Sequence, residues 1–369
     1  MVFSSWKHFF SLRDWGIVAA VVTLSAFGLV AVASLHAGTG DPRLVTQAIA
    51  VGVGCALMLV IARFRSHHLR AVSVPVYAAC VAAMALVLVA GSTVRGTKGW
   101  FFLGPFSLQP VEFMKLGLIL MLASYFERAH AVATPWELAA KSACIALPAV
   151  GLTLLQPDAG SALILVLLWA LLLVPQMPWR QRAVLAVAAA ALCVGGWFFL
   201  FEDHQRERVR VLVNPARDPF GAGYNIRQSI IAVGSGRIWG RGIGAGSQSQ
   251  LQFLPEASTD FSFAIIAEEL GLAGALALLV AYAVLLGRML AHMPRAPDGF
   301  AACALAGIGG WWSVQAAFYV SMNLGLAPVV GIPLPFVSYG GSALLSCFLA
   351  AGCVLAACGD STVPRDARG

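Results

Sequence analysis

Charged side chains are scarce in this sequence. They make up 11% of the 369 residues, whereas hydrophobic residues make up 59%. Soluble globular domains carry about 25% charged residues, so the composition excludes that class. Apolar runs of nearly twenty residues recur along the chain, which is the length that a helix needs to cross the hydrocarbon core of a bilayer. The composition therefore indicates an all-α membrane protein.

The sequence also lacks the spacings that mark disulfide scaffolds, metal sites and nucleotide-binding loops. Its eight cysteines all fall in or beside apolar runs, and no Cys-x-x-Cys or Cys/His pattern occurs. The glycines between 234 and 246 follow no phosphate-loop pattern, so we interpret them as a flexible or tightly turning loop. The net charge of +7 is spread over short loops, which argues against a nucleic-acid partner and for membrane lipid. No metal site is predicted.

Ten apolar segments predict a polytopic bundle of ten transmembrane helices, in one domain that comprises residues 1–369. One long extracytoplasmic loop, about 202–259, separates the seventh helix from the eighth. The predicted spans are 15–35, 43–62, 72–91, 109–127, 138–154, 158–174, 182–201, 261–287, 299–323 and 338–358.

The basic residues predict the orientation of this bundle. Ten crossings place both termini on one side, and that side carries thirteen lysines and arginines. The short loops on the other side carry only Arg43, Arg95 and Lys98. Lysine and arginine in short loops favour the cytoplasm, so both termini are predicted to be cytoplasmic. The first apolar run is too long for a signal-peptide core, and we expect an uncleaved helix.

Three acidic residues occur where the long loop meets the eighth helix: Asp260, Glu268 and Glu269. Carboxylates at membrane depth are costly unless they face water or a partner, which makes them candidates for a functional site. Asp260 is predicted to lie at the outer membrane face. On a straight helix, Glu268 and Glu269 would lie about 12 Å deeper. We interpret these two as structural partners of a neighbouring helix.

Two further outward-facing segments carry charge. Glu112 and Lys115 are three residues apart and share a helix face, so they form either a structural ion pair or part of a site that includes Trp100. Asp158 follows Gln-Pro and either caps the next helix or belongs to the same site. Residues 323–342 carry no charge and contain three prolines, which is compatible with the wall of a cavity or with an ordinary hairpin.

Several motifs in order along the chain resemble the SEDS (shape, elongation, division, sporulation) family of bacterial polytopic membrane proteins. The Asn-Pro…Asp-Pro-x-Gly-Ala-Gly-Tyr block is more similar to the RodA-like elongation branch than to the FtsW division branch. The matching residues are Trp100 with Gln109-Pro110-x-Glu112-x-x-Lys115, Gln156-Pro157-Asp158-x-Gly160, Asn214-Pro215…Asp218-Pro219-x-Gly221-Ala222-Gly223-Tyr224, Thr259-Asp260-Phe261 with Glu268-Glu269-Leu270-Gly271, and Gly331-Ile332-Pro333-Leu334-Pro335-Phe336-x-Ser338-Tyr339-Gly340-Gly341-Ser342.

The resemblance implies a peptidoglycan glycosyltransferase of the bacterial cytoplasmic (inner) membrane that serves cell elongation and shape. It would polymerise lipid II, the undecaprenyl-diphosphate-linked disaccharide pentapeptide, and would work with a class B penicillin-binding protein. Asp260 matches the family's essential aspartate, and Trp100, Glu112, Lys115 and Asp158 match shared motif positions. The chain departs from the family at Ser258, Val111 and Lys98, where the family usually has His, Ser and Arg. A role for that histidine therefore does not carry over.

The chemistry requires a base for the attacking sugar hydroxyl and positive charge for the departing diphosphate. Asp260 is the predicted general base. The cation is either a divalent metal ion, magnesium or manganese, or one of the side chains Lys115, Arg95, Lys98, Arg208 and Arg210.

Two other functions fit parts of the sequence. Buried charges also mark transport paths, so a flippase for the same lipid-linked precursor is the alternative. A non-catalytic scaffold for cell-wall enzymes is a third possibility, but it gives the outward-facing aspartate no role.

Overall fold

The computed structural model describes residues 14–36, 41–94, 96–104, 106–129, 133–199, 206–207, 210–212, 214–251, 253–254 and 256–361. Twelve α-helices have described bounds: α1 (Trp15–His36), α2 (Arg43–Ile61), α3 (Ser66–Ala90), α4 (Pro110–Ala129), α5 (Pro135–Leu155), α6 (Ala159–Leu173), α7 (Trp179–Phe199), α8 (Ala222–Ser235), α9 (Ser247–Gln250), α10 (Ser262–His292), α11 (Gly299–Asn323) and α12 (Gly341–Ser361). Short 3-10 turns occupy Val174–Gln176, Pro215–Arg217 and Met293–Arg295.

The mostly helical membrane fold predicted from the sequence is confirmed. Among the described residues, seven helices are long and apolar enough to cross a membrane, namely α1, α2, α3, α5, α6, α10 and α12. Helices α4, α7 and α11 coincide with the three other predicted spans. That the chain crosses the membrane ten times stays a prediction.

Helix α4 lies at the centre of the bundle. Fourteen of its twenty residues are buried, and it contacts α3, α5, α6, α11 and α12. Helix α3, which packs against one side of α4, has mainly exposed apolar side chains and therefore faces lipid. Of the polar side chains of α4, Glu112, Lys115 and Ser124 are buried in the protein.

Residues 92–108 form a small antiparallel sheet, which the sequence analysis did not predict. Its strands β1 (Ser92–Val94), β2 (Thr97–Leu103) and β3 (Phe106–Leu108) pair in chain order. Val94 pairs with Thr97, so only two residues connect the first two strands, and Gly96 supplies the positive φ that such a turn needs. The sheet leads directly into the start of α4.

Helix α10 is broken at Gly271, which has φ 68° and ψ −166°. The backbone of the preceding loop fills the break. The N–H groups of Leu272 and Ala273 donate to the carbonyls of Arg237 and Ile238, at 2.8 and 3.0 Å. A Cβ at Gly240 would lie 2.0 Å from the carbonyl oxygen of Glu269, so only glycine allows this approach. The glycine-rich loop therefore completes the hydrogen bonding of a broken helix.

The C-terminal end of α10 lies at the opposite end of the bundle from Asp260. Arg288 Nε donates to Asp14 Oδ2 at 2.7 Å, and His292 Nε2 lies 2.9 Å from the same oxygen. Burial alone would raise the pKa of Asp14, but these contacts and the Gly16 N–H hold it below its ordinary value of 3.8. Because Asp14 immediately precedes α1, the start of α1 and Asp260 lie at opposite ends of the bundle.

Candidate active site

Asp260 lies in the turn immediately before α10. Its N–H donates to the carbonyl of Glu256 at 3.0 Å, and its side chain is only partly buried. A Cβ added at the exposed Gly331 would lie 3.9 Å from Asp260 Oδ2, so the two residues are neighbours. The carboxylate is thus next to an open part of the surface rather than sealed among helices.

Two residues of α11 hold the backbone of this turn. The Tyr319 hydroxyl accepts the N–H of Ser262 at 2.8 Å and donates to the carbonyl of Thr259 at 2.9 Å. The Asn323 side chain donates to the carbonyl of Asp260 at 3.1 Å and accepts the N–H of Ala264 at 3.2 Å. Neither residue is predicted as part of the site from the sequence, because both are about sixty positions from Asp260 along the chain.

The proline-containing segment between α11 and α12 lies beside Asp260, as a cavity wall would. The Tyr339 N–H donates to the carbonyl of Ser258 at 2.9 Å, which ties the segment to the Asp260 turn. The half-buried Tyr339 ring also lies 5.9 Å from the guanidinium carbon of Arg43 at the start of α2. Arg43 is therefore a cation near the candidate site that sequence reasoning did not select, because it stood alone in a short loop.

Asp158 caps the N-terminus of α6. Its carboxylate accepts the N–H of Ser161 at 3.0 Å and the Ser161 hydroxyl at 2.7 Å. The first turn of α6 also touches the wall of the candidate site, since a Cβ at Gly160 would lie 2.7 Å from Val330. The capping role is therefore visible in the contacts, and the helix it caps adjoins the segment beside Asp260.

Glu112 and Lys115 form a buried ion pair within the first turns of α4. Lys115 Nζ lies 2.7 Å from Glu112 Oε1, with side-chain exposures of 1% and 4%. The ammonium also lies 5.2 Å from the Trp311 ring and 3.4 Å from Gln315 Oε1. In this structure the lysine is enclosed, which favours the structural ion pair over direct contact with a substrate.

The remaining candidate substrate-binding residues are on the small sheet and in the long loop. Trp100 and Lys98 are on β2, and Lys98 Nζ donates to the carbonyl of Val89 at 3.4 Å. Arg210 is exposed and pairs with Glu207 at 3.5 Å. Arg95 and Arg208 lie outside the described residues. A role for any of these cations in holding a diphosphate stays a prediction.

Glu268 and Glu269 are held by the polar loop and by α1. Glu268 Oε1 accepts the N–H of Gln248 at 2.9 Å, and a carboxylate oxygen of Glu269 accepts the hydroxyl of Ser34. These contacts agree with the structural interpretation. The break at Gly271 follows both residues, and their depth relative to Asp260 stays a prediction.

The described residues contain no group of three or more His, Cys, Asp or Glu side chains that could hold a metal ion. The requirement for magnesium or manganese stays a prediction.

Comparison with known proteins decides the family. The family described as "Cell cycle protein", which comprises FtsW, RodA and SpoVE, matches residues 11–361. The chain belongs to this family. Escherichia coli K12 MrdB, a peptidoglycan glycosyltransferase, is 38% identical over 307 residues, which cover 83% of this chain and 82% of MrdB. A probable peptidoglycan glycosyltransferase FtsW from Halothiobacillus neapolitanus is 35% identical and covers 91% of this chain, with 84% of that protein matched.

Solved structures of the FtsW/RodA/SpoVE family share the fold. A chain of a peptidoglycan synthase complex, described for the coordination of polymerization and crosslinking, superposes with a TM-score of 0.81 at 34% identity. This match covers 95% of the present chain and 99% of that chain. The crystal structure of Thermus thermophilus RodA, a rod shape determining protein, gives a TM-score of 0.71 at 31% identity and covers 95% and 98%. The FtsW/RodA/SpoVE fold therefore extends over nearly the whole chain, which is a multi-pass membrane protein.

Proposed function

We propose that this protein is a peptidoglycan glycosyltransferase that polymerises lipid II, with Asp260 as the general base. The observation that carries the proposal is the position of the Asp260 carboxylate, which is partly exposed, adjoins the exposed Gly331 and stands on a backbone fixed by hydrogen bonds. The glycosyltransferase names of MrdB and FtsW support the same reaction class.

The proposed reaction joins two lipid-linked disaccharides. A hydroxyl oxygen of the acceptor sugar attacks the anomeric carbon of the donor, and the bond from that carbon to the undecaprenyl diphosphate breaks. The hydroxyl proton passes to the Asp260 carboxylate as the new glycosidic bond forms. The diphosphate leaves with the electron pair of the broken bond, and positive charge stabilises it there. Among the described residues, the cations Arg43, Lys98 and Arg210 would lie on the same side of the membrane as Asp260. A divalent cation bound with the diphosphate would act in the same way.

The proposed orientation places this chemistry on the outer face of the cytoplasmic membrane. Asp260 and Asp14 are at opposite ends of the bundle, and the distribution of lysine and arginine favours a cytoplasmic location for the Asp14 end. Both termini would then be cytoplasmic, and residues 202–259 would face outward, where lipid II headgroups are found.

A class B penicillin-binding protein is the proposed partner, because a glycan polymerase needs a transpeptidase to crosslink its product. The structural relative from a peptidoglycan synthase complex, described for both polymerization and crosslinking, supports such an assembly. A role in cell elongation follows from the RodA-like motifs and the MrdB relative, and FtsW relatives leave division as the other setting.

Reconstitution in liposomes with labelled lipid II tests the function. Wild-type protein should convert lipid II into glycan strands that separate as a ladder on a gel. Translocation of lipid II without polymer would instead support the flippase alternative, which the relatives' names do not favour, and neither activity would support a scaffold. The Asp260→Asn variant should fold and bind lipid II but form no strands. Normal polymer from that variant would overturn Asp260 as the base.

A further inference from the structure

We infer that Tyr319 and Asn323 are positioning residues for Asp260, acting from a separate helix and without touching substrate. This inference rests on the proposed function, since it concerns the base of that reaction. Both residues lie in the last turns of α11 and are four positions apart, so their side chains project from the same helix face. Both side chains are fully buried.

The start of α10 needs partners that its own sequence does not provide. The first N–H groups of a helix have no partner within that helix, and a capping side chain usually accepts one of them. Phe261 occupies the capping position here and makes no side-chain hydrogen bond. Tyr319 and Asn323 accept the N–H groups of Ser262 and Ala264 instead. The helix that begins after Asp260 is thus capped by its neighbour.

The same two side chains also bind the carbonyls that precede the helix. Tyr319 donates to Thr259, and Asn323 donates to Asp260 itself. The Asp260 N–H is bound as well, by the carbonyl of Glu256. Backbone groups on both sides of the Asp260 Cα are therefore fixed, and this sets the direction of the Cα–Cβ bond that carries the carboxylate. Catalytic groups must be held to within a fraction of an ångström of the productive position, so such a clamp affects turnover.

The Tyr319 hydroxyl has its full set of hydrogen bonds. It donates once, to Thr259, and it accepts twice, from Ser262 and from the hydroxyl of Ser338 at 3.2 Å. Ser338 in turn accepts the N–H of Leu334 at 2.9 Å. The clamp thus joins the Asp260 turn to the segment that contains Gly331. The Tyr319 hydroxyl oxygen therefore fixes the position of the Asp260 turn relative to the segment that contains Gly331.

The test compares two variants of the clamp with a matched loss of a tyrosine hydroxyl elsewhere. Tyr319→Phe removes only the hydroxyl. Asn323→Asp keeps the acceptor for Ala264 and loses the donor to the Asp260 carbonyl. Tyr77→Phe is the control, because the Tyr77 hydroxyl donates to Ile145 between α3 and α5, away from the Asp260 turn. For each variant, kcat and KM for lipid II polymerisation are measured on folded protein, together with the thermal unfolding midpoint.

We expect kcat to fall about 10- to 100-fold in Tyr319→Phe and Asn323→Asp, since misplacing a catalytic group by about 1 Å can cost that much. KM should stay within about threefold, because substrate contacts are intact. Tyr77→Phe should keep kcat within about twofold of wild type, even if its unfolding midpoint falls by as much as that of the clamp variants. If Tyr319→Phe does not fold, Asn323→Asp decides.

Unchanged kcat in a folded clamp variant, or an equal loss in Tyr77→Phe, would overturn the inference while wild-type polymerisation upholds the proposed function. Wild-type protein that forms no polymer would overturn both.

Discussion

The ammonium of Lys115 lies 2.7 Å from the carboxylate of Glu112, and both side chains are enclosed in the protein at the start of α4. Removing one partner of a buried pair leaves an uncompensated charge, whereas removing both is often tolerated. We therefore expect Glu112→Gln and Lys115→Met each to lower the free energy of unfolding by about 3–5 kcal/mol. The double variant should recover most of that loss.

Chemical denaturation of the four proteins in detergent measures this cycle. Glu112 Oε2 is buried and has no hydrogen-bond partner among the described residues, whereas Lys115 also contacts Gln315, so loss of the lysine should cost the carboxylate most. Additive losses in the double variant would contradict a structural ion pair. Full stability with lost lipid II binding in Lys115→Met would assign the lysine to the substrate instead.

The loop that packs against the break in α10 should tolerate only glycine at position 240. A Cβ at Gly240 would collide with the Glu269 carbonyl, and its φ of 81° is unfavourable for other residues. We expect Gly240→Ala to cost more than about 2 kcal/mol of stability, because both strain and the collision must be relieved. Gly234→Ala is the control, since a Cβ there meets nothing within 4 Å and the position is helical. That substitution should be neutral or slightly stabilising. Equal midpoints of thermal unfolding for the two variants would contradict the packing of this loop.

Asp158 provides a third prediction, because asparagine can replace aspartate as a helix cap. Asp158→Ala should destabilise the protein by about 1 kcal/mol through loss of the Ser161 contacts. Asp158→Asn should lose much less. Thermal unfolding of the two variants separates these cases, and equal destabilisation would rule out a capping role. A stable Asp158→Asn variant that polymerises slowly would show that the negative charge serves the site.

The Asp14 contact predicts a pH dependence of stability. A carboxyl group whose pKa is lowered on folding stabilises the folded state above its ordinary value of 3.8, and that contribution is lost as the pH falls through the lowered folded value. We therefore expect a difference in unfolding free energy between wild type and Asp14→Asn above that ordinary value. It should shrink below about pH 4. Denaturation curves at several pH values measure it, and a difference that grows on acidification would contradict the contact with Arg288.

Hydropathy predicted the helices well because a membrane span has to be apolar over its whole length. The same property hid the break at Gly271, since the apolar run continues through it and the N–H groups after the break donate to the carbonyls of residues 237 and 238 instead of to the helix. The strands β1 and β3 have three residues each, too few to show alternation. The two-residue turn that ends in Gly96 was the signal that could have revealed the hairpin.

The candidate site was predictable only in part. Asp260 stood out as an acid where an apolar helix begins, and its partial exposure agrees with that interpretation. Tyr319 and Asn323 gave no comparable signal, because a tyrosine and an asparagine near the end of an apolar helix are ordinary core and capping residues. Their relation to Asp260 exists only in the packed structure, where α11 lies against the start of α10.

The initial rate of glycan-strand formation at saturating lipid II, compared between Asp260→Asn and Glu256→Gln, tests the central claim most directly. Both substitutions remove one carboxylate from the same turn, and Glu256 is exposed and binds Asp260 through its backbone carbonyl, which the substitution keeps. A general base contributes about 10²- to 10⁴-fold to a rate, so the initial rate of Asp260→Asn should be at least about 10²-fold lower than that of wild type. Glu256→Gln should stay within about twofold of wild type. Equal rates for the two variants at equal folded protein would contradict the assignment of Asp260 as the base.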